Sequence, residues 1–222
     1  MNLALFDLDG TLIPKDSDHA FGEFAITLGW ADADEFRRRN DGFFEDYLQG
    51  RLDIAAYVDF ATSPWRDRSS AELALVTRRF CAEVVQPMLH PAALALVQRH
   101  REAGDLMAVV TATNDFVTRP IAAMFDIETL IATELARDAA GRATGRIAGV
   151  PCFREGKIAR VQAWLQTRGQ ALDDFETSTF YSDSTNDLPL LERVSAPVAT
   201  NPGPALERIA QERGWPVLKL FT

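Results

Sequence analysis

The chain opens on a short, wholly apolar run that ends abruptly: Leu3-Ala4-Leu5-Phe6 gives way to Asp7-Leu8-Asp9-Gly10-Thr11. A run this short, without a polar residue, reads as a strand buried on both faces, as strands of parallel sheets are. A parallel neighbour cannot be reached through a tight turn, so such a strand demands long and usually helical crossovers. The rest of the chain supplies them. Leu106 to Val110 is a second apolar run, ending in Thr111-Ala112-Thr113, and Thr177 to Ser182 reads as a strand ending at Asp183. Thr129 to Ala132 and Ala196 to Ala199 read as further strands, with Val217 to Leu220 as an edge. Helical stretches lie between them, opened by Pro91, Pro120, Lys157, Asp187 and Pro204. Strands alternating with helices predict an α/β fold built on a doubly wound, mostly parallel sheet.

One stretch breaks the alternation. From about Lys15 to Leu89 every segment is helical in pattern. Ala20, Phe21, Phe24, Ala25 and Leu28 recur at helix spacing behind Asp18, a candidate N-cap, and Ser69 with Glu72 forms a capping-box pattern. That block is too long for a simple crossover. It reads as an inserted α-helical cap, residues 15–89, in a core made of residues 1–14 and 90–222. Gly141, Gly145 and Gly149 punctuate the segment from Glu134 to Phe153, which predicts a small hairpin flap.

In open α/β sheets, ligands bind beyond the carboxyl ends of the strands. Asp7, Thr111 and Asp183 each end a predicted strand. Asp7 and Asp9 are two apart in extended chain, which points both carboxylates to one side, and Gly10 permits the turn that follows. Alone, Asp-x-Asp-Gly also suits a surface turn or a calcium loop. Asp183 and Asp187 follow another strand tip. Four acids from two tips make a pocket that needs a hard cation, and carboxylates, a carbonyl and waters suit magnesium.

The net charge of -9 over 222 residues argues against nucleic acid and anionic membranes as partners. No window approaches the roughly 20 apolar residues of a spanning helix. Cys81 and Cys152 read as reduced thiols, and together these features predict a soluble, cytoplasmic protein.

Asp7-Leu8-Asp9-Gly10-Thr11-Leu12, Thr111 after an apolar strand, Lys157, and Asp183 with Asp187 resemble the four ordered motifs of the haloacid dehalogenase superfamily of phosphohydrolases. The helical block after the first strand further resembles the phosphoserine-phosphatase-like branch. Ser182 departs from the pattern, since many members carry glycine there. The resemblance implies a magnesium-dependent phosphatase acting on a small phosphate monoester. Asp7 would attack phosphorus and become an aspartyl phosphate. Asp9 would protonate the leaving alcohol and lend its backbone carbonyl to the metal. Asp7 and Asp183 would ligate magnesium, with Asp187 close behind, orienting water or Lys157. Thr111 and Lys157 would hold the phosphoryl oxygens, with Thr113 a nearby competitor of Thr111 and Asn186 an extra contact. Asp16, nine residues after Asp7, matches an acid that contacts the substrate ammonium in phosphoserine phosphatases. Arg51 is the weak counterpart of their carboxylate-binding arginine, so an amine without a carboxylate, such as histidinol phosphate, fits better than phosphoserine. Phe43, Phe44, Tyr47 and Trp65 are candidates to face its ring, though cap core suits each of them as well. Among other classes, a signalling receiver domain is about half this length, and a binding protein of the same fold without turnover would lack some of these polar groups.

Overall fold

The apolar runs that end in polar clusters lie side by side. A computed structural model describes residues 1–221; Thr222, the last residue of the expected core, lies outside the described residues. In chain order the strands are β1 (Leu3–Phe6), β2 (Leu106–Asn114), β3 (Leu130–Thr133), β4 (Leu135–Arg137), β5 (Ala143–Ile147), β6 (Ser178–Ser182), β7 (Ala196–Thr200) and β8 (Val217–Leu218). Six of them form one sheet in the order β3-β2-β1-β6-β7-β8, with every pairing parallel. β1 therefore sits centrally between β2 and β6, and its tip is flanked by theirs. The remaining two, β4 and β5, make the expected antiparallel hairpin.

The helices are α1 (Ser17–Thr27), α2 (Ala33–Leu48), α3 (Ile54–Thr62), α4 (Ser70–Phe80), α5 (Pro91–Glu102), α6 (Asp115–Met124), α7 (Glu155–Gln166), α8 (Leu188–Leu191) and α9 (Pro204–Arg213). The period-two alternation of β1 divides the core. Ala4 and Phe6 join Leu96 and Val97 of α5 and Val117 and Ile121 of α6, whereas Leu3 and Leu5 join Val161 and Leu165 of α7, Leu190 of α8 and Leu206 of α9. Helices thus cover both faces of the sheet.

α1 to α4 follow one another between β1 and α5. Phe21, Phe24, Val58 and Phe80 run on into the first core cluster, while Phe36, Phe60 and Ala61 make a small cluster of their own. Three local readings need correction. Asp16, not Asp18, caps α1, because the Asp16 carboxylate accepts the His19 N–H at 2.8 Å. The helix opened by the Ser69–Glu72 pattern, whose spacing would carry it to about Val85, ends at Phe80 and loosens into a π turn, Cys81–Val85. α6 begins at Asp115, ahead of Pro120, because Asn114 ends β2 and at once caps the helix through the Val117 N–H. The Ser69–Glu72 capping box forms as expected. No single helix among the described residues is long and apolar enough to cross a membrane.

Candidate active site

The polar tips of β1, β2 and β6 converge because the three strands run parallel and in register, Phe6 beside Val109 and Tyr181. Asp7 prolongs β1 by one residue, its N–H bonded to the Tyr181 carbonyl at 2.9 Å. Gly10 turns the chain at φ +74°, and a Cβ there would stand 2.3 Å from an Asp183 carboxylate oxygen. Only glycine lets the β1 loop lie so close to the β6 tip. Asn201, just past β7, fixes that loop from below by donating to the carbonyls of Gly10 at 2.9 Å and Thr11 at 3.2 Å.

Lys157 is the hub of the charge arrangement. It is 2% exposed, and its Nζ donates to Asp7 Oδ1 at 2.8 Å and to Asp187 Oδ2 at 2.7 Å. Burial opposes its charge, yet Asp187 and Asp7 outweigh burial and hold the ammonium well above its usual range. Burial raises Asp7 to about 6 against the pull of Lys157. The lysine is delivered by a tight turn. Arg154 adopts φ 52°, and a Cβ on Gly156 would fall 2.0 Å from the Pro151 carbonyl oxygen. Ser182, which stands where glycine was the pattern, donates to Asp187 Oδ2 at 2.7 Å. The substitution therefore adds a bond to the site.

The four acids expected as a metal set divide. The Asp9 carboxylate accepts the Ser17 N–H at 2.7 Å and the Thr113 hydroxyl at 2.8 Å. Burial, then Asp16 and Asp7, push it well above the usual carboxylate range. Asp187 is taken up by Lys157 and Ser182. Asp7 and Asp183 are left facing each other, each 3.4 Å from the Thr11 hydroxyl. Asp183 has no ion-pair partner among the described residues, and burial followed by the Asp7 and Asp187 charges raises it strongly. No group of three or more acidic, histidine or cysteine side chains among the described residues forms a complete cage. Two opposed carboxylates without a cation between them fit a hard ion that keeps much of its water, as magnesium does.

The strand runs on past Thr111 to Asn114, so Thr111 lies buried inside β2 rather than ending it, and its hydroxyl accepts the Thr113 N–H at 3.2 Å. Asn186 faces the helical segment: its amide donates to the Tyr47 carbonyl at 3.1 Å and accepts from Arg154 at 3.3 Å, while Arg154 also donates to the Gly50 carbonyl.

Beyond Asp9 and Thr113 a cavity opens between the sheet and the helical segment, with about 440 Å³ of empty space, mouth included. Asp16 and His19 of the α1 entrance, Asn40, Phe44 and Tyr47 of α2, and Tyr57 of α3 line it. Of the four aromatics considered, Phe44 and Tyr47 reach this cavity. Trp65 instead stacks on Phe116 at 4.1 Å in the core, and Phe43 packs against Tyr57 and Phe60. Arg51 is exposed and pairs with Asp46 at 2.8 Å, outside the cavity lining. Asn40, Tyr57 and Asn201 escaped the sequence reading. For Asn40 a signal existed: Phe36, Asn40, Phe43 and Tyr47 share one helix face, so a polar residue interrupts an apolar stripe.

The family model of the haloacid dehalogenase-like hydrolases matches residues 4–192. A histidinol-phosphatase of Neisseria meningitidis is 46% identical over 217 residues, 98% of each chain. A phosphoserine phosphatase of Mycobacterium tuberculosis is 29% identical over 224 residues, 96% of this chain and 69% of that one. A crystal structure of a protein with unknown function from Bordetella pertussis superposes with a TM-score of 0.93 at 50% identity over 99% of both chains. A substrate-bound phosphoserine phosphatase shares the fold, with a TM-score of 0.67 at 17% identity over 97% of this chain and 91% of that one.

Proposed function

The chain belongs to the haloacid dehalogenase-like hydrolase family, and from that premise we propose that it is a magnesium-dependent phosphomonoesterase whose substrate is histidinol phosphate. The observation that carries the substrate is the inner cavity, which presents one carboxylate, Asp16, and no arginine or lysine, while the wider opening it shares with Asp9 and Asp183 adds Glu23 and Asp41 against the single cation Lys15. Such a lining suits a leaving group with an ammonium and no carboxylate. Burial raises Asp16, and an incoming ammonium would favour its charged form again. Phosphoserine would need a cation for its carboxylate, and Arg51 is engaged elsewhere. The name of the Neisseria relative points the same way.

The chemistry follows from the charges. Asp7 attacks phosphorus and becomes an aspartyl phosphate. Lys157 orients Asp7 and offsets the charge that builds on the phosphoryl oxygens, as Thr111 does by hydrogen bonding. Asp9, whose carboxyl burial shifts toward the protonated form, gives its proton to the leaving alkoxide and then draws one from the water that opens the intermediate. Thr113 and the Ser17 N–H hold it in place for both steps. Asp7 and Asp183, with the Asp9 carbonyl, would hold magnesium, which when bound screens phosphate from carboxylate and polarises the phosphoryl group. Asp187 positions Lys157, and Asn186 joins the cap to the core. Residues 15–89 act as the cap that closes the leaving-group cavity over a core of residues 1–14 and 90–222. Cys81 and Cys152 are unpaired, which fits the reducing cytoplasm.

The test is a ranking of kcat/KM with magnesium for histidinol phosphate, phosphoserine and p-nitrophenyl phosphate. Histidinol phosphate should lead by about tenfold or more, the value of one charge-assisted contact. Faster turnover of phosphoserine would overturn the substrate assignment and leave the phosphatase standing.

A further inference from the structure

Asn40 is 4% exposed, lies on the cavity wall, and its carboxamide forms no hydrogen bond to any described residue. Its amide is not among the sealed polar atoms without a partner, which among the described residues are Ser17 Oγ and Trp65 Nε1, so it keeps its opening onto the cavity, where a ligand group can take the place of water. It lies on one side of a pocket whose other walls are chiefly Phe44, Leu52, Ile54 and Tyr57. Two polar groups near the mouth have tasks already. Thr113 holds Asp9, and Asp16 caps α1. Asn40 and the His19 ring are the cavity side chains without a hydrogen-bond partner among the described residues; His19 is half-exposed at the mouth beside Asp41, whereas Asn40 is buried in the wall, set off from the reacting groups on helix α2.

We propose that Asn40 is a specificity-determining residue that hydrogen-bonds a nitrogen of a planar heteroaromatic ring on the leaving group. This rests on the histidinol phosphate reading and goes beyond it. A carboxamide carries both a donor and an acceptor, so it pairs with either tautomer of a neutral imidazole, which likewise carries one of each. The flanking aromatic and aliphatic side chains accept the ring's faces. A site that leaves a polar group unpaired rejects an isosteric ring lacking the nitrogen more strongly than an apolar pocket rejects an added one. Asn40 would therefore separate imidazole from phenyl, a distinction that Asp16 cannot make.

The test compares wild type with Asn40→Leu and with Asn40→Ala, the second adding no bulk. The readout is the ratio of kcat/KM for histidinol phosphate to that for phenylalaninol phosphate, which keeps the ammonium and phosphate and lacks the ring nitrogens. Both variants should lower that ratio by about tenfold to a hundredfold. They should also weaken inhibition of p-nitrophenyl phosphate hydrolysis by added histidinol by a similar factor. An unchanged ratio in variants that still hydrolyse histidinol phosphate would overturn the role of Asn40 and leave the proposed function intact. A wild type that spares histidinol phosphate, yet is inhibited by histidinol in an Asn40-dependent way, would overturn the substrate and keep the ring site. A wild type neither turning over the one nor binding the other would overturn both.

Discussion

Asp18 stands at the start of α1 without a cation, and its burial makes a prediction that involves no metal. Its carboxylate accepts from the Asn114 amide at 3.0 Å, the Tyr57 hydroxyl stands beside it, and Asp16 is the charge that faces it. Burial, then Asp16, raise it from 3.8 to about 7 against those two hydrogen bonds. A carboxyl raised on folding contributes stability that is complete below its unfolded value and is lost as pH rises through the folded one. The window therefore runs from about pH 4 to about pH 7. Each pH unit inside it is worth about 1.4 kcal/mol, a ceiling of about 4 kcal/mol over the full shift. Asp18→Asn keeps the shape and the acceptor for Asn114 but cannot ionise. Its stability relative to wild type should grow by about 2–3 kcal/mol between pH 5 and pH 8. In a chain of this size that is a relative gain in Tm of about 5–10 °C. Calorimetric or circular-dichroism melts of both proteins across that range give the difference directly. A difference in Tm that does not change with pH would refute the reasoning, since Asp18 would then be ionised in the folded protein throughout.

Three further outcomes are expected. Asp7→Asn should melt near wild type and lose at least about 10²–10⁴-fold in kcat, because the amide has no anionic oxygen to attack with; residual activity above a tenth would exclude the covalent route. Exhaustive chelation should abolish turnover, with magnesium restoring it and calcium not, since calcium wants more oxygen ligands than two carboxylates and a carbonyl supply; full activity in the chelated enzyme would rule out the metal reading. Gly156→Ala should lower stability by about 1–3 kcal/mol in denaturant unfolding, as the added methyl meets the Pro151 carbonyl; an unaffected midpoint would show that the turn before Lys157 yields freely.

Much of the fold was legible because buried parallel strands advertise themselves. Leu3–Phe6 and Leu106–Val110 are apolar without alternation, and the first ends where the chemistry begins. Asp7 and Asp183 could be placed just past strand tips, whereas Thr111 lies inside β2, which its polar tail Thr111-Ala112-Thr113 continues to Asn114. The cavity wall could not be placed in this way. The break that Asn40 makes in the apolar stripe of Phe36, Phe43 and Tyr47 marks it as inward-facing, but that it borders a cavity comes only from tertiary packing. Arg154 and Asn201 likewise act through backbone carbonyls far away in sequence, which no local pattern encodes. Asp16 and Asp18 are both good capping residues two positions apart, and only the path of the chain out of the β1 loop decides between them. Pro120 looked like a helix start because proline favours first turns, yet Asn114 had already nucleated the helix one turn earlier.

The central place of β1 bears on how the protein is made. The strand that Asp7 prolongs leaves the ribosome before every other strand of its sheet, and its two partners begin at Leu106 and Ser178. At synthesis rates of about 5–20 residues per second, β1 waits roughly ten to thirty seconds for its second neighbour. Throughout that time an apolar strand with two unpaired edges is available to other chains. α1 to α4 emerge in the interval, and their local contacts form fast. The inserted helices thus come between the first strand and its partners in time as well as in sequence, so lesions in them should show as aggregation during synthesis before they show in the melting of the finished enzyme.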